Sequence, residues 1–358
     1  DGPPSSVTRQ LYETIRAGEL DPFELDPPTL APTPPHNLPP QPTPLVGRES
    51  ELAETSALLA DPDCRLLTIF GPGGIGKSRL ALELAGRAVD QFRDGVTFVS
   101  LAGVDLVENA VSKLAHTLQV TALSHAIAQS EFFDMLGQRA PEQLLVLDNF
   151  EQLLPGGVEL VQGILTCAPR VKLIVTSREL LNIRWEWRFG LEGLSYPERP
   201  AGRLPEGHRT WDRLERYDAV QLFLQVAHRI RPRHSLSSEE MAAVGHICRL
   251  VGGMPLAIEL AAAQVAAASC QAISAGLERN LASLTTTMRD VPARQRSLQA
   301  TFDQSWAGLS AGERQAFMRL SVFRGGFTLD AAQTVTDVSF AQLTRLLDKS
   351  MLRQLSPE

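Results

Sequence analysis

Leu66-Leu67-Thr68-Ile69-Phe70-Gly71-Pro72-Gly73-Gly74-Ile75-Gly76-Lys77-Ser78 is the stretch that decides the fold of this chain. An apolar run leads into eight residues that fit the pattern G-x-x-x-x-G-K-[ST]. Helical periodicity follows, with Leu80, Leu84 and Ala88 on one row and Ala81, Ala85 and Val89 on the next. Strand before and helix after is the setting that gives this pattern its physical meaning. Glycines let the backbone curl so that successive N–H groups point at a polyphosphate, and the helix dipole adds to them. Gly71, Gly73, Gly74, Ile75, Gly76, Lys77, Ser78 and Arg79 are therefore candidate phosphate-binding residues. Lys77 is placed to reach the β- and γ-phosphates and the Ser78 hydroxyl to hold Mg²⁺. The stretch implies a bound nucleoside triphosphate or diphosphate.

Outward from this loop, the apolar runs 96–101, 144–148, 171–176 and 187–191 read as further strands. Segments 77–90, 106–119, 129–139 and 157–167 read as the helices between them. Strands that are apolar throughout and alternate with helices predict a parallel sheet covered on both faces. The fold class is α/β, a P-loop NTPase sheet followed by helical modules. Past residue 194 the apolar spacing becomes helical: Val220, Phe223, Leu224 and Ala227, then Val244, Ile247, Cys248 and Val251, then Leu256, Leu260, Ala263 and Ala267. Gly252-Gly253-Met254-Pro255 separates the last two stripes, with Pro255 suited to a first helical turn. Helices at 298–308, 311–320, 328–335 and 339–350 predict a third unit, with an extended segment beginning at Met351–Gln354. Upstream, Pro22–Pro44 holds ten prolines in 23 residues and reads as a spacer. Residues 7–17 predict one short helix, the tail of an upstream domain. The expected units are 1–20, 21–44, 45–194, 195–290 and 291–358.

Composition narrows the classes. With 358 residues, 44% of them hydrophobic, the chain can build two or three cores. A net charge of −7 argues against broad polyanion binding. Cys64, Cys167, Cys248 and Cys270 lack metal spacing and read as reduced thiols. No apolar run reaches membrane length, and the alanine-rich 257–268 stretch carries Glu259 and Gln264. A cytoplasmic location and no membrane partner are expected. The chain starts at Asp1 and stops shortly after Leu352, as a fragment would.

Two further strand ends carry chemistry. Asp148 closes an apolar strand, where an acid can complete a Mg²⁺ shell opposite the phosphate loop. Asn149 follows, where many hydrolytic proteins have a second acid. An amide can hold a water but cannot take its proton, so slow hydrolysis is expected. Glu151 is a substitute for that acid, or simply a solvated carboxylate. Arg178, at the end of Ile174-Val175-Thr176-Ser177, can sense a γ-phosphate bidentately or form a salt bridge with Glu179 or Glu151. Lys77, Asp148 and Arg178 are the catalytic candidates, and Ser78 and Asp148 the metal candidates.

Val46-Gly47-Arg48-Glu49, the phosphate loop, Leu147-Asp148-Asn149, Thr176-Ser177-Arg178-Glu179 and Gly253-Met254-Pro255-Leu256-Ala257-Ile258-Glu259-Leu260 together resemble the ordered motifs of NB-ARC-like signal-transduction ATPases, the STAND class. Phe317–Phe327 is similar to the winged-helix segment of its bacterial transcription-regulator branch. Leu11–Gly18 resembles the end of a bacterial transcriptional activator domain. The resemblance implies a helical lid over residues 195–290 and a winged helix over 291–358. It also implies ATP or ADP with Mg²⁺, with Val46 and Arg48 near adenine and ribose and Pro255 against the base. A Met-His-Asp motif is missing from the last unit, where Lys349 occupies the general region. The implied function is a switch, ADP-bound at rest and ATP-bound when active. It would self-associate in the ATP state, meet an inducer through a C-terminal sensor, and reach DNA only through an upstream domain. The alternatives are a metabolic P-loop enzyme, kinase or ATPase, and a DNA-binding regulator acting through its winged helix. Residues 296–358 carry seven Lys or Arg against six Asp or Glu, a net of +1, which is a poor electrostatic footprint for DNA.

Overall fold

Five segments pair as parallel strands in the computed structural model, which describes residues 13, 16, 34–120, 128–154, 156–198, 214–232, 236–285 and 296–354. They are β1 (Leu66–Phe70), β2 (Val96–Ser100), β3 (Leu144–Asp148), β4 (Lys172–Ser177) and β5 (Glu186–Gly190), in the order β2-β3-β4-β1-β5. Every pairing is parallel. Because side chains alternate along a strand, the inner strands feed two cores. Leu67, Ile69, Leu144, Val146 and Ile174 face helices α1 (Glu49–Ala60) and α2 (Lys77–Arg87). Leu66, Leu145, Leu147, Leu173 and Val175 face α3 (Val107–Thr117), α4 (Gln129–Arg139) and α5 (Val158–Cys167). The central strands β1, β3 and β4 are therefore mostly apolar on both faces and show no alternation, whereas the edge strand β5, Glu186-Trp187-Arg188-Phe189-Gly190, buries only Phe189.

Residues 34–44 depart from the spacer expectation. They run along the outer edge of β2, where the Val96 N–H donates to the Pro35 carbonyl at 3.0 Å and His36 bridges Val96 in parallel. The Asn37 amide both donates to the Phe98 carbonyl, at 2.9 Å, and accepts from the Phe98 N–H, at 2.6 Å. Proline removes donors but leaves carbonyls, so a proline-rich strap can still accept from an edge strand and cover it. Gly95 is required beneath it: its φ is +79°, and a Cβ there would lie 1.8 Å from the Pro35 oxygen. Of the expected helix at 7–17, only Glu13 and Arg16 are described, both helical.

The second module consists of α6 (Asp218–Ile230), α7 (Ser238–Leu250), α8 (Pro255–Ala263) and α9 (Cys270–Arg279). Its core joins Val220, Phe223, Val244, Ile247, Leu260 and Ile273. Ser237 and Glu240 form a capping box that starts α7. The third module comprises α10 (Leu298–Ala307), α11 (Ala311–Leu320), α12 (Leu329–Thr336) and α13 (Phe340–Asp348), around a small core of Leu309, Leu320, Val338, Leu343 and Leu346. Residues 351–354 are bend and coil rather than the expected start of an extended segment, and no strand is present among the described residues of this unit. The architecture is thus a P-loop-type parallel sheet with helices on both faces, followed by helical modules. All four cysteines are free. Burial pushes the Cys64 and Cys270 thiols up to about 11 and Cys248 up to about 12. No helix among the described residues is long and apolar enough to cross a membrane.

Candidate functional site

Parallel strands deliver their following loops to one edge of the sheet, so β1, β3 and β4 bring the phosphate loop, Asp148 and Arg178 together. The loop turns on glycine conformations: φ is +152° at Gly71, +78° at Gly74 and +101° at Gly76. Gly76 is the N-cap of α2, and its carbonyl accepts the first bond of the helix, from Leu80. Lys77, buried, donates Nζ to the Gly71 and Pro72 carbonyls at 2.8 and 3.0 Å. Burial lowers its amine to about 8, opposed by Glu151, supported by Arg178 and opposed again, more weakly, by Asp148. Ser78 lies half-buried in the first turn of α2.

Asp148 is 5% exposed at the end of β3, and its Oδ1 accepts from the Thr176 hydroxyl at 2.7 Å. The same hydroxyl accepts from the Asn149 N–H at 3.1 Å. Thr176 thus orients the acid from the neighbouring strand. Asn149 adopts φ +63°, turning the chain so that Glu151 comes back toward the loop.

Arg178 is a junction. Its Nε lies 3.2 Å from Glu151 Oε1, with side chains 13% and 10% exposed. Its Nη1 donates to the Thr301 carbonyl at 3.0 Å and the Ser305 hydroxyl at 2.8 Å, and Nη2 to Gln304 Oε1 at 2.6 Å. The salt bridge to Glu151, weighed against the sensor role, is therefore present, together with a grip on α10. Gly73 lies beneath this contact: a Cβ there would be 2.6 Å from Thr301 Cγ2 and 2.9 Å from Arg178 Cζ. The Ser350 hydroxyl donates to the Arg178 carbonyl at 2.7 Å, and the Leu180 N–H to the Asp348 carbonyl at 3.1 Å. Lys349 reaches Glu313 at 3.1 Å and the Gly308 carbonyl at 2.9 Å, within its own module. A cavity of about 350 Å³ lies between loop and module, bounded by Pro72, Gly73, Met254, Phe302 and Met351.

The second module also touches the loop. Pro255 opens α8, and the next residue, Leu256, donates its N–H to the Gly74 carbonyl at 3.2 Å. Arg48 is buried and turned inward: it pairs with Glu51 and donates to the Ile75 and Glu192 carbonyls at 3.3 and 2.6 Å. Its guanidinium here braces the loop from below. Val46 packs on the core of the second module, and Gly47 backs on Asp218. Arg79 donates to the Thr43 carbonyl in the proline-rich strap, away from the loop.

Sequence reasoning missed Thr176 as the partner of Asp148, and the Arg178 contacts with Thr301, Gln304 and Ser305. The former lay in the quoted Thr-Ser-Arg motif. The latter span more than a hundred residues and left no local signal.

The donors fit a Mg²⁺-nucleotide. Among the described residues no group of three or more His, Cys, Asp or Glu could hold a metal unaided. One carboxylate and one hydroxyl suit Mg²⁺, which completes its shell with water and phosphate oxygens. The buried Lys77 supplies positive charge, and the curl is open at Gly76, where a Cβ would meet nothing within 4 Å.

These features define a P-loop NTPase fold. An uncharacterized protein of Mycobacterium tuberculosis is 32% identical over 293 residues, covering 82% of this chain and 69% of its own length, and the chain belongs to its family. A second M. tuberculosis protein, provisionally named an HTH-type transcriptional regulator, is 33% identical over 303 residues, covering 83% of this chain. The chain spans about a third of that regulator, 32% of its length. No protein-family model matches. Among solved structures, the Aeropyrum pernix ORC2 protein in ADPNP–ADP complexes matches with a TM-score of 0.44 and 12% identity, covering 87% of this chain and 88% of that one.

Proposed function

We propose that this chain is the nucleotide-dependent switch of a STAND-type transcription regulator. ADP holds a closed resting form, and ATP with an inducer opens it for self-association. Hydrolysis is slow and resets the switch. The observation that carries this is that both helical modules touch the phosphate loop, Leu256 through the Gly74 carbonyl and Thr301 over Gly73. A ligand seated in that loop meets all three units. It stabilises whichever arrangement binds it better, by the difference in its affinities for the two. Arg178 adds direction: a γ-phosphate within its reach competes with Thr301, Gln304 and Ser305 for one guanidinium. The HTH-type name of the mycobacterial relative supports the regulatory context, as does the modest charge of the third module, which suits packing rather than DNA contact. In this proposal the third module is a winged helix, an inducer meets a C-terminal sensor, and DNA binding lies in an upstream domain.

The test strips the protein of nucleotide and compares limited proteolysis across residues 190–300 with and without ADP. Protection by ADP is expected. Equal cleavage in both would mean that the modules do not close on the nucleotide.

A further inference from the structure

Glu151 has no assigned task in the switch, yet its carboxylate is buried beside the loop. Its side chain is 10% exposed, and neither carboxylate oxygen accepts a hydrogen bond among the described residues. The nearest cation is Arg178 Nε, 3.2 Å from Oε1. Leaving a charged carboxylate without hydrogen bonds is costly, so its place calls for a functional reason. Asp148 beside it is held in place by the Thr176 hydroxyl, whereas Glu151 is held by charge alone. Glu151 also acts on the buried Lys77 amine more strongly than Asp148 does. Through Arg178, whose Cζ lies 2.9 Å from where a Cβ on Gly73 would stand, the carboxylate borders the phosphate loop itself.

We infer that Glu151 is the general base for hydrolysis of the γ-phosphate, replacing the acid that would ordinarily stand at Asn149. The inference rests on the nucleotide-switch proposal and adds its missing acid. In the step itself a water oxygen attacks the γ-phosphorus, and its proton passes to a Glu151 oxygen. The bond from the γ-phosphorus to the β,γ-bridging oxygen breaks, with its electron pair leaving on ADP. The proton then passes from Glu151 to the released phosphate or to solvent, so charge and atoms balance. The backbone turn explains the offset by two residues: Asn149 at φ +63° and the short helical turn Phe150–Leu153 carry position 151 to the loop. The structure also gives the resting form a reason for low activity. Glu151 is paired with Arg178, and Arg178 is held by α10. Opening α10 frees the arginine for phosphate and the glutamate for water in one movement.

The test uses the whole 358-residue chain with Mg²⁺-ATP, as wild type, Glu151→Gln and Glu151→Asp. Three quantities are read: affinity for a fluorescent ATP analogue, single-turnover hydrolysis, and the ATP-to-ADP ratio retained after hours of incubation. Glu151→Gln is expected to bind the analogue within about threefold of wild type, because a neutral isostere does not oppose phosphate. It should hydrolyse about 10²-fold or more slowly, the lower range for loss of a general base, and retain ATP where wild type retains ADP. Glu151→Asp should recover part of the rate. Hydrolysis by Glu151→Gln at the wild-type rate overturns the inference. So does loss of analogue binding together with hydrolysis, since Glu151 would then be structural. A wild type that binds ATP without turning it over in hours also overturns it, and leaves nucleotide binding intact. A wild type that binds no analogue removes the nucleotide proposal itself.

Discussion

Leu256 donates its backbone N–H to the carbonyl of Gly74 at 3.2 Å, so the helix that opens the second module starts on the phosphate loop. The approach needs glycine on the other side: Gly74 has φ +78°, and a Cβ there would lie 2.8 Å from that of Leu256. Loop conformation and module docking are thus one event. Gly74→Ala should lower stability by more than the ~1 kcal/mol scale of a compatible glycine substitution, since it meets both strain and a clash. Chemical denaturation reads the loss, and nucleotide affinity should fall with it. A variant as stable as wild type would mean that α8 can withdraw freely.

Phosphate charge recognition should depend on two residues from different strands' ends. Lys77→Ala removes the buried ammonium and Asp148→Ala the carboxylate that Thr176 orients. Each should weaken Mg²⁺-nucleotide binding roughly tenfold to a hundredfold, the scale of one charged hydrogen bond of ~1.5–3 kcal/mol. Calorimetry showing unchanged affinity in both would remove the phosphate-loop assignment. Steady-state turnover by the wild type should remain far below the ~1–10³ s⁻¹ of typical enzymes.

The sheet was legible because its central strands, such as Leu144-Leu145-Val146-Leu147, are apolar on both faces, the pattern of a doubly covered parallel sheet. The glycine-rich turn between β1 and α2 was legible because its pattern is contiguous in the chain. Other features were hidden for physical reasons. The strap depends on carbonyls and on the single side chain of Asn37, which proline content does not report. Arg178 showed as a cation at a strand end, but its partners Thr301, Gln304 and Ser305 are common polar residues with no spacing rule. Arg48 stood in a motif expected near adenine and ribose, and here its donors go to Ile75, Glu192 and Glu51. Motif position reveals the neighbourhood of a side chain, while its rotamer and partners depend on tertiary packing.

Lys77 also sets a pH dependence. Burial holds its amine at about 8 in the folded protein, against an ordinary 10.5. Between these values the unfolded chain binds the proton that the folded chain has released. Stability from this group therefore rises with pH across that window, and its penalty is fully present below about 8. The unfolding free energy of wild type minus that of Lys77→Met should rise from pH 7.5 to pH 10 by an amount on the order of kcal/mol. A flat difference would mean that the ammonium is better solvated or better paired than its burial suggests.

The grip of α10 on Arg178 can be separated from the nucleotide site. Gln304 and Ser305 on α10 accept from the guanidinium at 2.6 and 2.8 Å, and both lie on the third module. The double variant Gln304→Ala, Ser305→Ala leaves the phosphate loop, Asp148 and Arg178 itself unchanged. Charged hydrogen bonds contribute ~1.5–3 kcal/mol each when buried, and less here because the arginine keeps its ion pair with Glu151. Amide exchange in α10 should accelerate about tenfold or more, with β1, β3 and β4 unaffected, because only the docking of the module is weakened. The response to ATP should then resemble that of an already opened protein, since the phosphate no longer has to displace two acceptors. If α10 stays protected, the module is held instead by the Asp348 carbonyl on Leu180 and the Ser350 hydroxyl on the Arg178 carbonyl. Those contacts are made by the backbone of Arg178 and Leu180, which a phosphate on the guanidinium cannot compete for. Arg178 would then report on the nucleotide without releasing the module.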